Sequence, residues 1–83
     1  MISLLFAASC ALAETPTAME QGVAAYRKGD FTVALGHFLQ AAAQAPDDAN
    51  TRFNLGLTQY RLGQYPAARK NFLALRGESG MNA

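Results

Sequence analysis

Apolar side chains are arranged in two ways along this chain of 83 residues. From Ile2 to Ala13 they run almost unbroken, with no charged residue and only Ser3, Ser9 and the Cys10 thiol as polar side chains. Beyond Thr17 they recur at helical spacing instead. Ala34, Phe38 and Ala41 fall at i, i+4 and i+7, and so do Phe53, Leu57 and Tyr60, then Ala68, Phe72 and Leu75. Such spacing places each set on one face of a helix.

Stop and start signals divide the periodic part into four helices. Thr17-Ala18-Met19-Glu20 reads as a capping box, in which hydroxyl and carboxylate satisfy orphan amides at a helix start. That helix runs to about Lys28, and Gly29 supplies the left-handed residue past its end. Asp30 is expected to cap a second helix from Phe31 to Ala45, stopped by Pro46. Asp47 and Asp48 place negative charge at the start of a third, from Ala49 to Leu62, which Gly63 ends. Pro66 suits the first turn of a fourth, expected to run to Arg76 and stop at Gly77. The turns are short, so each pair of helices is antiparallel. The predicted class is all-α, two antiparallel helix–turn–helix units forming a short α-solenoid behind an N-terminal signal helix.

The uninterrupted N-terminal run is a separate problem. About 12 apolar residues are too few to cross a bilayer, which takes roughly 20. The length suits the apolar region of a secretory signal, and Ala11-Leu12-Ala13 is a small-x-small cleavage pattern before Glu14. The segment reads as an export signal rather than a buried or anchoring helix, although its front end has only the terminal amine for positive charge. Residues 1–13 are therefore assigned as signal, 14–17 as linker, 18–46 and 47–76 as the two units, and 77–83 as a flexible tail. Cys10 is the one cysteine, so cleavage leaves no thiol for disulfide or metal chemistry. A lipid anchor at Cys10 is not expected, because Ala7-Ala8-Ser9 lacks the Leu that normally begins such a site. The expected location is periplasmic or secreted, in a bacterial envelope.

Sliding the chain against itself by 34 residues aligns Gly22 with Gly56, Tyr26 with Tyr60 and Arg27 with Arg61. The same offset aligns Gly29 with Gly63, Phe31 with Tyr65, Ala34 with Ala68 and Phe38 with Phe72. Glycine inside a helix costs about 1 kcal/mol relative to alanine, so Gly22 and Gly56 call for a packing reason. Close approach of Gly22 to Ala34, and of Gly56 to Ala68, is the expected one, with Phe38 and Phe72 filling the wider part of each pair.

The pattern Gly22, Tyr26, Gly29-Asp30-Phe31, Ala34, Phe38, Ala41 and Pro46 resembles a tetratricopeptide repeat, and Leu55-Gly56, Tyr60, Gly63-Gln64-Tyr65, Ala68 and Phe72 resemble a second. The resemblance covers about Thr15 to Arg76. Departures are Ala18 and Arg52 where the family has a large aromatic, Ala25 and Gln59 where it has bulk, and Gly80 in place of the closing proline.

The resemblance implies protein or peptide binding in a groove lined by the first helix of each unit. Carried over by position, that face holds Met19, Val23, Tyr26, Arg27, Asn50, Phe53, Asn54, Leu57, Tyr60 and Arg61. Asn54 matches an asparagine that clamps a peptide carboxylate in some members. Met19 and Val23 stand where those members have lysine and asparagine, so clamping is not expected. For Phe53, Leu57 and Tyr60 two readings stay open, since a stripe at i, i+4 and i+7 serves a core as readily as a ligand. Tyr26 and Tyr60 can instead offer amphipathic rings to a partner.

Catalysis has no foothold. His37 has Val33, Phe38 and Ala41 as helical neighbours, and Ser79 lies in the expected tail. Asp47 and Asp48 serve as cap residues, and a metal site needs more oxygen ligands. Gly22, Gly29 and Gly36 belong to packing or helix ends rather than a phosphate loop. No metal or cofactor is expected.

The net charge of +1 conceals an asymmetry. Residues 14–48 set Glu14, Glu20, Asp30, Asp47 and Asp48 against Arg27 and Lys28, and residues 49–83 set Arg52, Arg61, Arg69, Lys70 and Arg76 against Glu78. The balance passes from −3 to +4. Solvated faces account for it in the plainest way, and the sharper reading has the basic unit meeting an acidic neighbour. Nucleic acid is not expected, since no recognition motif accompanies the basic residues. Two units make a small core, and such arrays usually hold at least three. Self-association or completion by a partner is therefore expected, and a structural self-assembly element, or a truncated piece of a longer array, is the alternative to an adaptor role.

Overall fold

The computed structural model describes residues 15–79, and four helices account for most of them. They are α1 (Ala18–Arg27), α2 (Phe31–Gln44), α3 (Ala49–Arg61) and α4 (Tyr65–Ser79). Among the described residues there is no strand. α1 packs antiparallel on α2, α3 packs on α4 in the same way, α2 contacts α3, and α1 touches α3. The all-α class and the pair of helical hairpins are as expected. The signal segment, Cys10 and residues 80–83 lie outside the described residues.

The helix ends repeat the chemistry of the sequence except at Asp30 and Gly77. The Thr17 hydroxyl accepts from the Glu20 amide at 3.1 Å while the Glu20 carboxylate accepts from the Thr17 amide at 2.8 Å, a complete capping box. Gly29 and Gly63 have φ of 84° and 79°. Around Gly29, the Asp30 amide bonds the Ala25 carbonyl at 2.9 Å and the Gly29 amide bonds Tyr26 at 3.0 Å. Around Gly63, Gln64 bonds Gln59 at 2.8 Å and Gly63 bonds Tyr60 at 3.0 Å. These are two copies of one Schellman turn, and the left-handed φ is why both positions are glycine. Asp48 caps α3, accepting from the Thr51 amide at 2.9 Å and the Thr51 hydroxyl at 2.7 Å.

The Asp30 side chain makes no cap hydrogen bond. Its amide is already used to close the Schellman turn, and its ψ of 71° differs from the 165° of Thr17 and the 119° of Asp48. The expected stop at Gly77 also fails, because α4 continues to Ser79. A single glycine costs about 1 kcal/mol inside a helix and does not by itself end one. Part of the segment assigned as tail is therefore helical. Gly36 sits exposed in mid-α2 with open space where a Cβ would be, so neither packing nor a helix end explains it.

The core is centred on the first unit, with Leu55 of α3 and Ala68 of α4 buried as well. Ala18, Gly22 and Ala25 of α1 meet Ala34, Phe38 and Ala41 of α2, and Leu55 of α3 joins Ala25, Ala34 and Phe38 in one cluster. The reason for the helix-interior glycines is aromatic, which corrects the expected approach to the alanines. A Cβ on Gly22 would lie 2.5 Å from the Phe38 ring, and one on Gly56 would lie 2.7 Å from the Phe72 ring. Each phenylalanine rests directly on the bare backbone of the opposite helix.

Candidate functional site

α1 and α3 are equivalent helices of the two units, and two side-chain bonds tie them together. The Asn54 amide donates to the Met19 sulfur at 3.3 Å, and Arg61 Nε donates to the Tyr26 hydroxyl at 3.1 Å. The Arg61 guanidinium carbon lies 5.9 Å from the Tyr26 ring centroid and 5.8 Å from that of Phe31. Those two rings meet edge to face at 5.1 Å. A cation near aromatic rings is held electrostatically as well as by its hydrogen bond, so Arg61 acts as a strap from α3 to the first unit.

Between the two helices lies a recess of about 230 Å³, lined by Val23, Tyr26, Arg27, Phe38, Asn54 and Leu57. Five of the ten side chains that the repeat pattern assigns to a groove are thus brought together, over Phe38 from α2. Met19 and Arg61 flank the recess through their bonds to Asn54 and Tyr26. The arrangement is an apolar floor with one amide and one guanidinium, suited to hydrogen-bonding a peptide while its side chains bury against Val23, Leu57 and Phe38. Arg27 is the only charged residue in the lining.

Three of the ten lie elsewhere. Asn50 is exposed on the first turn of α3. Phe53 leans toward α4, its ring 6.2 Å from that of Phe72, and remains 47% exposed. Tyr60 meets Tyr65 edge to face at 5.3 Å on the far side of α3. The interior of α3 is filled instead by side chains whose polarity hid them. Thr58 is fully buried and donates to the Asn54 carbonyl at 2.8 Å. Gln59 is buried and accepts from the Asn71 amide at 2.8 Å, which links α3 to α4. The one signal for Gln59 was its place at a position where bulk is common.

Asp48 has its carboxyl held below the ordinary value by the Thr51 hydroxyl first and the Thr51 amide second. That is a cap effect rather than a catalytic one. Arg52 reinforces the same turn, donating to the Pro46 carbonyl at 2.7 Å. Among the described residues no three His, Cys, Asp or Glu side chains gather as metal ligands, and no helix is long and apolar enough to cross a membrane.

A family model described as tetratricopeptide repeat matches residues 19–82, which includes all of α2, α3 and α4 and nearly all of α1. Comparison with curated proteins and with solved structures gave no match.

Proposed function

The chain belongs to the tetratricopeptide repeat family, and from that membership we propose a non-enzymatic adaptor of the bacterial cell envelope that holds a partner protein in the recess between α1 and α3. Repeats of this family generally serve as protein-interaction modules. The observation that carries the assignment is the convergence of Val23, Tyr26, Arg27, Asn54 and Leu57, from two units, on one recess floored by Phe38. The signal-like run from Ile2 to Ala13 supports export, with cleavage before Glu14.

The test places a photo-crosslinking amino acid at Val23 in the full chain, in cells, with products identified by mass spectrometry. A single dominant foreign partner is expected, with the envelope fraction carrying chains that begin at Glu14. Leu57→Ala should weaken capture about tenfold, the loss of one good anchor at an interface, with helicity retained. Capture that ignores both Leu57→Ala and Arg27→Glu would reject the recess as the site. Chains found only in the cytoplasm with Met1 in place would reject the export reading.

A further inference from the structure

The two units have the same outer face, but among the described residues only the first unit's is covered. In the first unit α3 lies over the Tyr26–Phe31 ring pair and Phe38; Phe38 is 1% exposed, and Leu35 and Ala42 pack against the shared cluster. In the second unit the equivalent Tyr60–Tyr65 pair is 57% and 59% exposed and Phe72 is no longer buried, whereas Leu73, 48% exposed, matches its counterpart Leu39 at 49%. The pair and Leu73 border an open groove of about 360 Å³ with Phe72. The first unit therefore shows what such a face accepts, a helix lying across it.

The occupant's chemistry is set by two differences between the faces. Where α2 has Leu35 and Ala42, α4 has Arg69 and Arg76, and no Asp or Glu lines the groove. Across the turn at Pro46 and Asp47, Leu35 stands level with Thr58 and Ala42 with Thr51, each pair equidistant from the turn in an antiparallel hairpin. A helix seated in the same way on the second unit brings residues seven apart, roughly 10 Å along its axis, opposite the two arginines. A second copy of this chain does not meet that need. Head to tail, α1 offers the exposed Gln21 where α3 offers Leu55, and face to face the arginines oppose themselves.

We propose that the outer face of α4 is a second docking site, and that it takes an amphipathic helix of a partner protein with carboxylates seven residues apart beside its apolar stripe. Tyr60, Tyr65 and Phe72 take the stripe, and Arg69 and Arg76 the carboxylates. This surface is distinct from the α1–α3 recess.

The probe is a stapled peptide of residues 48–62, the segment that covers the equivalent face in the first unit, carrying Thr51→Glu and Thr58→Glu. The control carries Thr51→Lys and Thr58→Lys. In fluorescence anisotropy with the full chain, the Glu peptide should bind at least about tenfold more tightly than the Lys peptide, the scale of two complementary charge contacts. The R69E/R76E chain should reverse that order with unchanged circular dichroism, and Leu57→Ala should leave both affinities unaltered. Equal affinity for the two peptides, or binding of neither, overturns the proposal. So does a dimer in sedimentation velocity that Tyr65→Glu dissociates, since a second copy would then occupy the face.

Discussion

The two helical hairpins of this protein are built on one pattern and finished differently. Both have a glycine beneath a phenylalanine, the same Schellman turn and the same edge-to-face aromatic pair. In the first hairpin Phe38 is sealed by α3, and in the second Phe72 stands half-buried at the side of an open groove. A repeat therefore does not own its core. What makes Phe38 a core residue is the neighbour across α2, and the same residue type without that neighbour becomes part of a surface.

The largest break in this comparison comes from the phenylalanines. Phe38→Ala should cost about 3–5 kcal/mol, comparable to everything a core of this size supplies, and leave the chain unfolded by circular dichroism. Phe72→Ala, removing a ring that is partly exposed rather than sealed, should cost less, about half as much, in urea melts. Equal losses would mean that the second unit is sealed in solution.

The glycines give the next test. Gly22→Ala forces a methyl against a ring that has nowhere to go, a cost of about 1–3 kcal/mol. At Gly56 the Phe72 ring can swing toward the groove, and alanine's helix propensity returns up to about 1 kcal/mol. Gly56→Ala should then lie within about 1 kcal/mol of the parent protein. A Gly22→Ala chain as stable as Gly56→Ala would remove the asymmetry.

Arg61 straps the covered side. Arg61→Ala should lose about 1 kcal/mol through the Tyr26 hydrogen bond and the nearby rings, and the double-mutant cycle with Tyr26→Phe measures the shared part. An additive cycle would show that the strap does not form in solution.

The smallest effect belongs to the acid that caps α3. The Asp48 carboxyl titrates below its ordinary 3.8 because Thr51 bonds the charged form. Its contribution is present above that value and is lost as pH falls through the lowered folded value. Asp48→Asn should therefore flatten part of the acid limb of stability against pH. An unchanged acid limb would refute the Thr51 cap.

Much of the fold was legible because its signals are local. The capping box at Thr17, the left-handed glycines 29 and 63 and the repeat offset are each decided within a few residues or by self-comparison. Asp30 misled because its type suits a cap while its backbone serves the preceding turn. Gly77 misled because breaker residues express a cost, and α4 absorbs it. For the candidate site, the recess residues of α1 were legible from position in the repeat. Phe53 and Tyr60 were not, since both belong to the same i, i+4, i+7 stripe as Leu57 and only packing separates them. The burial of Thr58 and Gln59 ran against their polarity, and hydrogen bonds to Asn54 and Asn71 make it affordable.

By itself the sequence determined the number of helices, where most of them start, the turns between them and the family, because caps, φ > 0 glycines and periodicity act over one or two helical turns. Only the tertiary structure decided that Gly22 and Gly56 lie under aromatic rings, that five side chains of α1 and α3 share a recess, and that one of two like faces is left open. Those outcomes depend on which helices lie side by side, and burial is a property of neighbours distant in the chain.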